Sequence, residues 1–166
     1  IAGTVLVQKI ASACADSGKN LEEVRCAAQA AADNLRSLGF ALSPCIIPAV
    51  GRPSFTLEEN EMELGTGIHG EAGVQKMEIR DAHTLAGEMV SRILGDMPVM
   101  PGEEVCVMVN GMGSTPLMEL YILYKEIHEA LSGRGILIGK AYVGEYMTSL
   151  EMAGASVTVM KLDEER

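Results

Sequence analysis

One segment constrains the fold more than any other: a continuous apolar run from Val105 to Val109 leads through a glycine-containing turn into a long apolar helical pattern. The run is typical of a buried strand, and Pro116 suits the first position of a helix because its missing N–H does little harm there. We predict a helix from Pro116 to Leu131. Because this helix is apolar over most of its girth, we expect a sheet and a further domain or subunit to cover it.

Two helical patterns precede this unit. Apolar residues recur at helical spacing from Thr4 to Ala15, and Ser17-Gly18 interrupts the pattern. Asn20 and Glu23 are spaced as a capping box, and a narrow apolar seam continues from there to Gly39, where a left-handed residue can end a helix. The pattern therefore predicts a second helix that reaches Gly39.

Four further segments have the length and apolar content of strands: 40–47, 62–68, 136–143 and 155–162. The first two are predicted to form an extended hairpin, with the first strand at an edge or bulged because Pro44 and Pro48 cannot donate to a ladder. Asp81 caps a predicted helix that Gly95 and Pro98 end. A short helical turn is expected around residues 146–153.

The interleaving of these elements predicts the fold class. Helices alternating with strands indicate an α/β protein, and the hairpin makes the sheet mixed rather than wholly parallel. At 166 residues the chain is long enough to bury about 70% of its unfolded surface in one core. We predict one domain over residues 1–166, a two-layer mixed β-sheet with helices.

The charge balance excludes several partners. Thirteen basic residues against 23 acidic ones give a net charge of -10, with no basic stripe to neutralise the phosphates of a nucleic acid. The same excess of acid disfavours unaided binding of a polyphosphate nucleotide. The four cysteines match no metal-ligand spacing, so we expect them to be reduced and mostly buried.

Location is predicted from what the sequence does not contain. No apolar run approaches the ~20 residues that a membrane span needs, and no leader pattern is visible. These features favour the cytoplasm. The chain opens at Ile1 in an apolar stretch without an initiator methionine, and we expect it to be a segment of a longer polypeptide.

The segment from Leu64 to Gly73 holds four glycines and one histidine, His69, just beyond a predicted strand. Glycine at this density indicates a backbone that bends sharply or approaches a ligand closely. A neutral imidazole there can accept a proton, bind a metal or add to a carbonyl group, or it can simply hydrogen-bond the turn. The metal interpretation is weak because no second histidine or cysteine lies at ligand spacing.

The remaining polar motifs favour structural roles. We predict a solvated His83, and a core or interface position for His128. The turn Asn110-Gly-Met-Gly-Ser-Thr lacks a nucleotide-binding spacing, so we predict a tight turn whose serine or threonine caps the next helix. The alternating glutamates are predicted to form a solvated face of the hairpin: Glu58, Glu59, Glu61 and Glu63.

Four blocks in the same order resemble the dihydroxyacetone kinase family over nearly the whole chain: residues 40–45, 62–71, 109–120 and 143–154. The Gly-Ile-His-Gly-Glu and Tyr-Met-Thr-Ser-Leu-Glu-Met-Ala-Gly elements are the specific ones. The resemblance implies the carboxy-terminal subdomain of the family's substrate-binding domain. It also implies that His69 bonds covalently to the ketone carbon of dihydroxyacetone as a hemiaminal, which distinguishes a ketone from a polyol and fixes its pose.

The resemblance further implies what lies elsewhere. An earlier part of the domain supplies the proposed base. A separate helical domain or subunit binds magnesium and either ATP or, in a phosphocarrier relay, ADP. We therefore expect no cofactor or metal in this segment, no phosphoryl transfer by it alone, and a homodimer. Ala72 stands where many relatives have proline, which predicts a looser loop. Two alternatives stay open: a dihydroxyacetone-sensing co-activator of transcription, and a dimerisation module.

Overall fold

The computed structural model describes residues 2–68 and 73–163. Its helices are α1 (Thr4–Asp16), α2 (Leu21–Asp33), α3 (Ala82–Asp96) and α4 (Leu117–Ser132). Its strands are β1 (Leu35–Ala41), β2 (Glu61–Leu64), β3 (Gln75–Glu78), β4 (Glu104–Gly111), β5 (Leu137–Gly144) and β6 (Gly154–Lys161). The strands form one sheet in the order β3-β2-β1-β6-β4-β5, in which only β4 and β5 pair in parallel. The predicted α/β class and mixed sheet are confirmed.

Side chains alternate between the two faces of the central strands, and each face has its own apolar cluster. Val105, Val107 and Val109 of β4 join the cluster that α3 and α4 cover, which we call the α3/α4 face. Cys106 and Met108, on the opposite side of the same strand, pack with residues of α1 and α2, and we call this side the α1/α2 face. Helices therefore contact both sides of β4, which explains why its sequence is a continuous apolar run.

The second helix is shorter than its sequence pattern predicts. The capping box at its start is confirmed, with Glu23 N donating to Asn20 Oδ1 over 3.0 Å and Asn20 N donating to the Glu23 carboxylate over 2.9 Å. The predicted end at Gly39 is wrong, because α2 ends at Asp33 and β1 begins at Leu35. Seven residues of β1 pair with β6, and this ladder replaces the last turns of the expected helix.

The position of β1 also differs from the prediction. β1 lies between β2 and β6, so the expectation of an edge or bulged strand is wrong. Pro44 and Pro48 lie beyond its last residue, Ala41, where no ladder hydrogen bond is required of them. The extended hairpin that links β1 to β2 is confirmed as an antiparallel pair.

Two helical predictions near the chemistry-bearing motifs need correction. No helical turn forms between residues 146 and 153, which run as bends between β5 and β6. Pro116 occupies the N-cap position and not the predicted first helical position, because α4 begins at Leu117. Among the described residues, α4 is covered on one side only, and its other side exposes four large apolar residues: Leu117, Met118, Tyr121 and Ile122.

The cysteines fit their prediction in half of the cases. Cys45 and Cys106 are buried, whereas Cys26 is exposed and Cys14 lies between these extremes. Burial raises the pKa of the Cys106 thiol to about 11, so this group is a small apolar side chain rather than a nucleophile at neutral pH. Within the described ranges, no helix combines the length and the apolar character that crossing a bilayer requires.

Candidate functional site

The loop that follows β2 is held by a narrow neck. Gly65 N donates to the Gly39 carbonyl over 2.7 Å, and Val74 N donates to the Leu64 carbonyl over 2.8 Å, so both ends of the loop are fixed at the sheet. Gly65 has a φ of +89°, and a side chain there would also collide with Val74. The glycine content predicted a sharp bend, and Gly65 confirms it.

From this neck the loop folds back over the α1/α2 face. A Cβ on Gly39 would collide with the Thr66 carbonyl oxygen and would lie 2.8 Å from the Met112 Cε, so Gly39 is the residue that lets the loop approach the sheet. A cavity of about 150 Å³ remains beneath the loop. Its walls include Thr66 and Ile68 from the loop and Ser156 from β6.

His69 is the next residue after this cavity wall. It lies outside the described residues, as do Gly70, Glu71 and Ala72, so its predicted role and the predicted looseness at Ala72 stay predictions. What is described is the approach to it: Gly67 and Ile68 line the cavity, and residue 73 returns the chain to the neck. The described lining of the cavity therefore reaches Ile68, the residue before the predicted nucleophile.

Glu63 is a buried residue beside the candidate site that sequence reasoning missed. It was predicted to lie on a solvated face, yet only 4% of it is exposed. Met62 and Leu64 point to the α3/α4 face, so Glu63 points to the α1/α2 face, where the returning loop covers it. The Thr66 hydroxyl donates to its carboxylate over 3.1 Å. A long glycine-rich loop directly after the strand was the one available signal that this face is not open to water.

The second specific motif is joined to the sheet by Asn110. This residue is fully buried at the end of β4, and its amide oxygen accepts from Tyr146 N over 2.9 Å and from Met147 N over 2.8 Å. Its amide nitrogen donates to the Met147 carbonyl over 2.8 Å and to the Ser156 hydroxyl over 3.3 Å. Because Ser156 also lines the cavity, one buried polar row connects the two family-specific motifs.

The turn between β4 and α4 works differently from its prediction. Neither Ser114 nor Thr115 caps α4, so that expectation is wrong. Both hydroxyls instead hold the 145–153 loop: Ser114 donates to the Glu151 carbonyl over 2.7 Å, and Thr115 donates to the Gly154 carbonyl over 2.7 Å. The hydroxyl groups of this turn therefore bond to protein atoms, as expected for a turn without a nucleotide-binding spacing.

Glu145 stands at the same edge of the sheet. Its carboxylate accepts from Gly113 N over 3.2 Å, and a Cβ on Gly111 would collide with it. Desolvation raises the pKa of this carboxyl group, and the hydrogen bond from Gly113 N opposes that shift. Its role here is to close the glycine turn after β4.

The other two histidines lie far from the cavity lining. His83 is solvated, as predicted, with 82% of its side chain exposed, and its Nδ1 lies 2.8 Å from the Glu126 carboxylate. The core position for His128 is wrong, because this residue is exposed beside Tyr124. His83 and Glu126 form, with Glu129, a group of metal-ligating atoms within 4.8 Å of one another.

A lysine is already paired with both carboxylates of that group. The Lys125 ammonium lies 2.9 Å from the Glu126 carboxylate and 3.1 Å from the Glu129 carboxylate. Its hydrogen bond, followed by that of His83, lowers the pKa of Glu126. The group is therefore explained as an ion network between α3 and α4.

Two larger pockets are weaker candidates for a functional site than the cavity beneath the loop. One of about 800 Å³ is an open groove between α1 and α2, and one of about 230 Å³ lies between α3, α4 and the end of β1 with mostly apolar walls. We place the candidate site at the smaller cavity because both glycine-rich and buried polar residues converge there.

Comparison with known proteins shows the family of this chain. The Dak1 domain model matches residues 1–166, the whole chain. The chain belongs to the Dak1 domain family. One similar protein is the dihydroxyacetone-binding subunit of PTS-dependent dihydroxyacetone kinase 1 from Listeria innocua. It is 46% identical to this chain, and the match covers 100% of this chain and 50% of that protein. The chain thus spans about half the length of the curated relatives that it matches most fully.

Solved structures of similar proteins have the same fold. The dihydroxyacetone kinase operon co-activator Dha-DhaQ superimposes with a TM-score of 0.93 at 32% identity, over 99% of this chain and 51% of that one. The dihydroxyacetone kinase of C. freundii superimposes with a TM-score of 0.80 at 35% identity, over 98% of this chain and 29% of that one. A kinase and an operon co-activator therefore share this architecture.

The close approach of the loop to Gly39 can be tested by measuring the free energy of unfolding. We expect Gly39→Ala to lower the free energy of unfolding by about 1–3 kcal/mol, because its Cβ meets a backbone oxygen and must push the loop off the sheet. Gly87→Ala is the matched control, since its Cβ would meet open space within α3, where alanine stabilises a helix by up to about 1 kcal/mol. Urea unfolding of the full-length protein measures both, and equal stability of the two variants contradicts the proposed contact.

Proposed function

We propose that this chain is the carboxy-terminal, substrate-anchoring part of a dihydroxyacetone kinase, folded as one domain over residues 1–166. The single observation that carries the proposal is the cavity beneath the β2–β3 loop, whose wall runs to Ile68, the residue before His69. Its walls include Thr66 and Ser156, whose hydroxyl groups can hydrogen-bond a short polyhydroxylated ligand. The match to a dihydroxyacetone-binding subunit over the whole chain favours that ligand.

The proposed chemistry is addition of His69 to the ketone. The lone pair of a neutral ring nitrogen attacks the carbonyl carbon, a C–N bond forms, and the electron pair of the C=O π bond moves to oxygen. That oxygen gains a proton and the ring loses one, so the product is a neutral hemiaminal. A polyol such as glycerol has no electrophilic carbon, which gives the site its selectivity for a ketose.

Phosphoryl transfer then depends on partners outside this chain. In this proposal the tethered substrate presents a hydroxyl group to a phosphoryl donor, ATP or ADP with magnesium, which a separate domain or subunit binds. The name of the Listeria relative supports a phosphocarrier-linked route. The chain alone is expected to transfer no phosphate. We further propose a cytoplasmic location and a homodimer, with the exposed apolar side of α4 available to a partner.

A second function is favoured by one observation. The co-activator Dha-DhaQ superimposes on this chain with a TM-score of 0.93, compared with 0.80 for the C. freundii kinase. The alternative is therefore a dihydroxyacetone sensor that binds the ligand in the same cavity and acts on transcription. Copurification of the full-length protein with a nucleotide-binding subunit supports the kinase, and copurification with a DNA-binding regulator supports the sensor.

The covalent step is tested in the full-length protein with dihydroxyacetone labelled with ¹³C at the carbonyl carbon. We expect the labelled carbon to lose its ketone resonance and to appear as a tetrahedral carbon bonded to nitrogen and oxygen. Glycerol at the same concentration serves as the control and is expected to show no new resonance. If the carbon remains a free ketone or hydrate at saturating protein, the adduct proposal is refuted.

A further inference from the structure

Ser156 lies near the centre of the sheet and lines the cavity beneath the loop. On β6 it is paired with Gly39 of β1 on one side and with Asn110 of β4 on the other. Only 5% of it is exposed, and its side chain points to the α1/α2 face because Ala155 and Val157 belong to the opposite cluster. A buried hydroxyl group therefore lies on the sheet side of the cavity.

The hydrogen bond from Asn110 decides which role this hydroxyl group can take. The Asn110 amide oxygen accepts from two backbone amides, so the amide nitrogen is the atom that lies 3.3 Å from the Ser156 Oγ. Ser156 is therefore the acceptor in that bond and keeps its own proton. The described residues supply no acceptor for this O–H group.

Thr66 supplies a free acceptor on the loop side of the same cavity. Its hydroxyl group donates to the Glu63 carboxylate over 3.1 Å, whereas its carbonyl oxygen has no donor among the described residues. A Cβ on Gly39 would collide with this carbonyl oxygen and would lie 3.6 Å from the Ser156 Cβ. Both groups therefore border the space above Gly39, which glycine leaves free.

A free donor and a free acceptor beside one small cavity match an alcohol, which accepts one hydrogen bond and donates another. Buried groups of this kind cost free energy when they lack partners, so the pair favours a ligand that satisfies both. Ser37 also lines the cavity, but its hydroxyl group is bonded to the Thr158 Oγ1 over 2.6 Å. Ser156 is therefore the wall residue whose side chain is ready to donate.

We propose that Ser156 is a binding residue of the ketose site. Its hydroxyl group donates to a hydroxyl group of the ligand, and that hydroxyl group donates in turn to the Thr66 carbonyl oxygen. This inference rests on the proposed function, in which the cavity holds a short ketose, and it adds the group that recognises the alcohol beside the carbonyl carbon. A volume of about 150 Å³, below the ~300 Å³ at which drug-sized pockets begin, limits the ligand to a few carbon atoms.

Two matched ketones test this hydrogen bond in the full-length protein. Hydroxyacetone carries one alcohol beside its carbonyl group, and butanone has a methyl group in place of that hydroxyl group. Titration calorimetry measures the dissociation constant of each ketone, whether or not a covalent adduct forms. We expect the wild-type protein to prefer hydroxyacetone by at least about tenfold, because butanone leaves the buried donor and acceptor without partners. Equal affinities for the two ketones overturn the proposal without any substitution.

Ser156→Ala then assigns the preference to one side chain, with Ser43→Ala as the matched control. The Ser43 hydroxyl group accepts one hydrogen bond, from Ala153 N over 3.0 Å, and lies outside the cavity lining. We expect the preference for hydroxyacetone to fall about tenfold in Ser156→Ala and to stay unchanged in Ser43→Ala. A general change in stability affects both ketones alike, so the ratio of their dissociation constants isolates the hydrogen bond.

The outcomes distinguish this inference from the proposed function. An unchanged preference in Ser156→Ala overturns the role of Ser156, as expected if its hydroxyl group holds a water molecule only. Absence of the adduct in the ¹³C experiment refutes the covalent step, while the ratio of dissociation constants still decides on Ser156. If circular dichroism shows that Ser156→Ala does not fold, Ser156→Cys replaces it, because a thiol is similar in size to a hydroxyl group and is a weak donor.

Discussion

In the full-length protein, His69→Ala is expected to abolish the covalent adduct with dihydroxyacetone and any kinase activity that depends on it. Alanine has no nitrogen lone pair, so the substrate can be held by hydrogen bonds alone, without a fixed pose. The same titration with ¹³C-labelled dihydroxyacetone measures the loss. We expect no resonance of a carbon bonded to both nitrogen and oxygen at any ligand concentration, whereas stability changes little because the loop's described anchors lie at Gly65 and Val74.

His128→Ala is the matched control for this experiment. It removes an imidazole of the same size from an exposed position on α4, where the ring contacts Tyr124 and lies 3.5 Å from the Ser132 hydroxyl. We expect full adduct formation in this variant. An adduct that persists in His69→Ala disproves the assignment of His69, and one that disappears in both variants points to a general loss of structure.

Asn110→Ala is expected to lower the free energy of unfolding by about 2–4 kcal/mol. The substitution removes four hydrogen bonds of a fully buried side chain and leaves the backbone groups of Tyr146 and Met147 without these partners. Chemical denaturation measures the loss of stability. Hydrogen exchange at the Tyr146 and Met147 amides is expected to accelerate, since both donate to the side chain that is lost.

Two comparisons sharpen this prediction. Asn34→Ala also removes an asparagine, but its side-chain amide donates one 2.9 Å bond to the Ala30 carbonyl at the end of α2, so we expect a loss of about 1 kcal/mol. Asn110→Asp keeps the acceptor for the two amides and places an oxygen against the Met147 carbonyl. Equal losses for Asn34→Ala and Asn110→Ala would rule out the anchoring role of Asn110.

The sequence predicts the elements of this fold better than their ends. The capping box at Asn20 and Glu23 identified the start of α2, since this signal is local. The end of α2 was misplaced because Leu35 and Leu38 fit a helical seam and a strand equally well. Pairing with β6 decides between them, and β6 lies more than a hundred residues further along the chain.

The candidate site shows the same limit. The glycine-rich loop and its histidine could be found from composition and from the family resemblance, because both are written in consecutive residues. Glu63 could not, because its burial depends on the loop folding back over the sheet beside it. A pattern of alternating glutamates and apolar residues predicts which face a side chain takes, and tertiary structure alone decides what covers that face.

The central position of β6 has a consequence for how the molecule assembles. β6 is the last of the six strands in sequence, yet it lies between β1 and β4 and pairs with both. Until β6 is synthesised, two parts of the sheet lack their neighbour. One is the part from β1 to β3, and the other is the part from β4 to β5. We expect the edges of β1 and β4 to stay unpaired in the nascent chain until this strand appears, and we expect chaperones to bind the chain during that time.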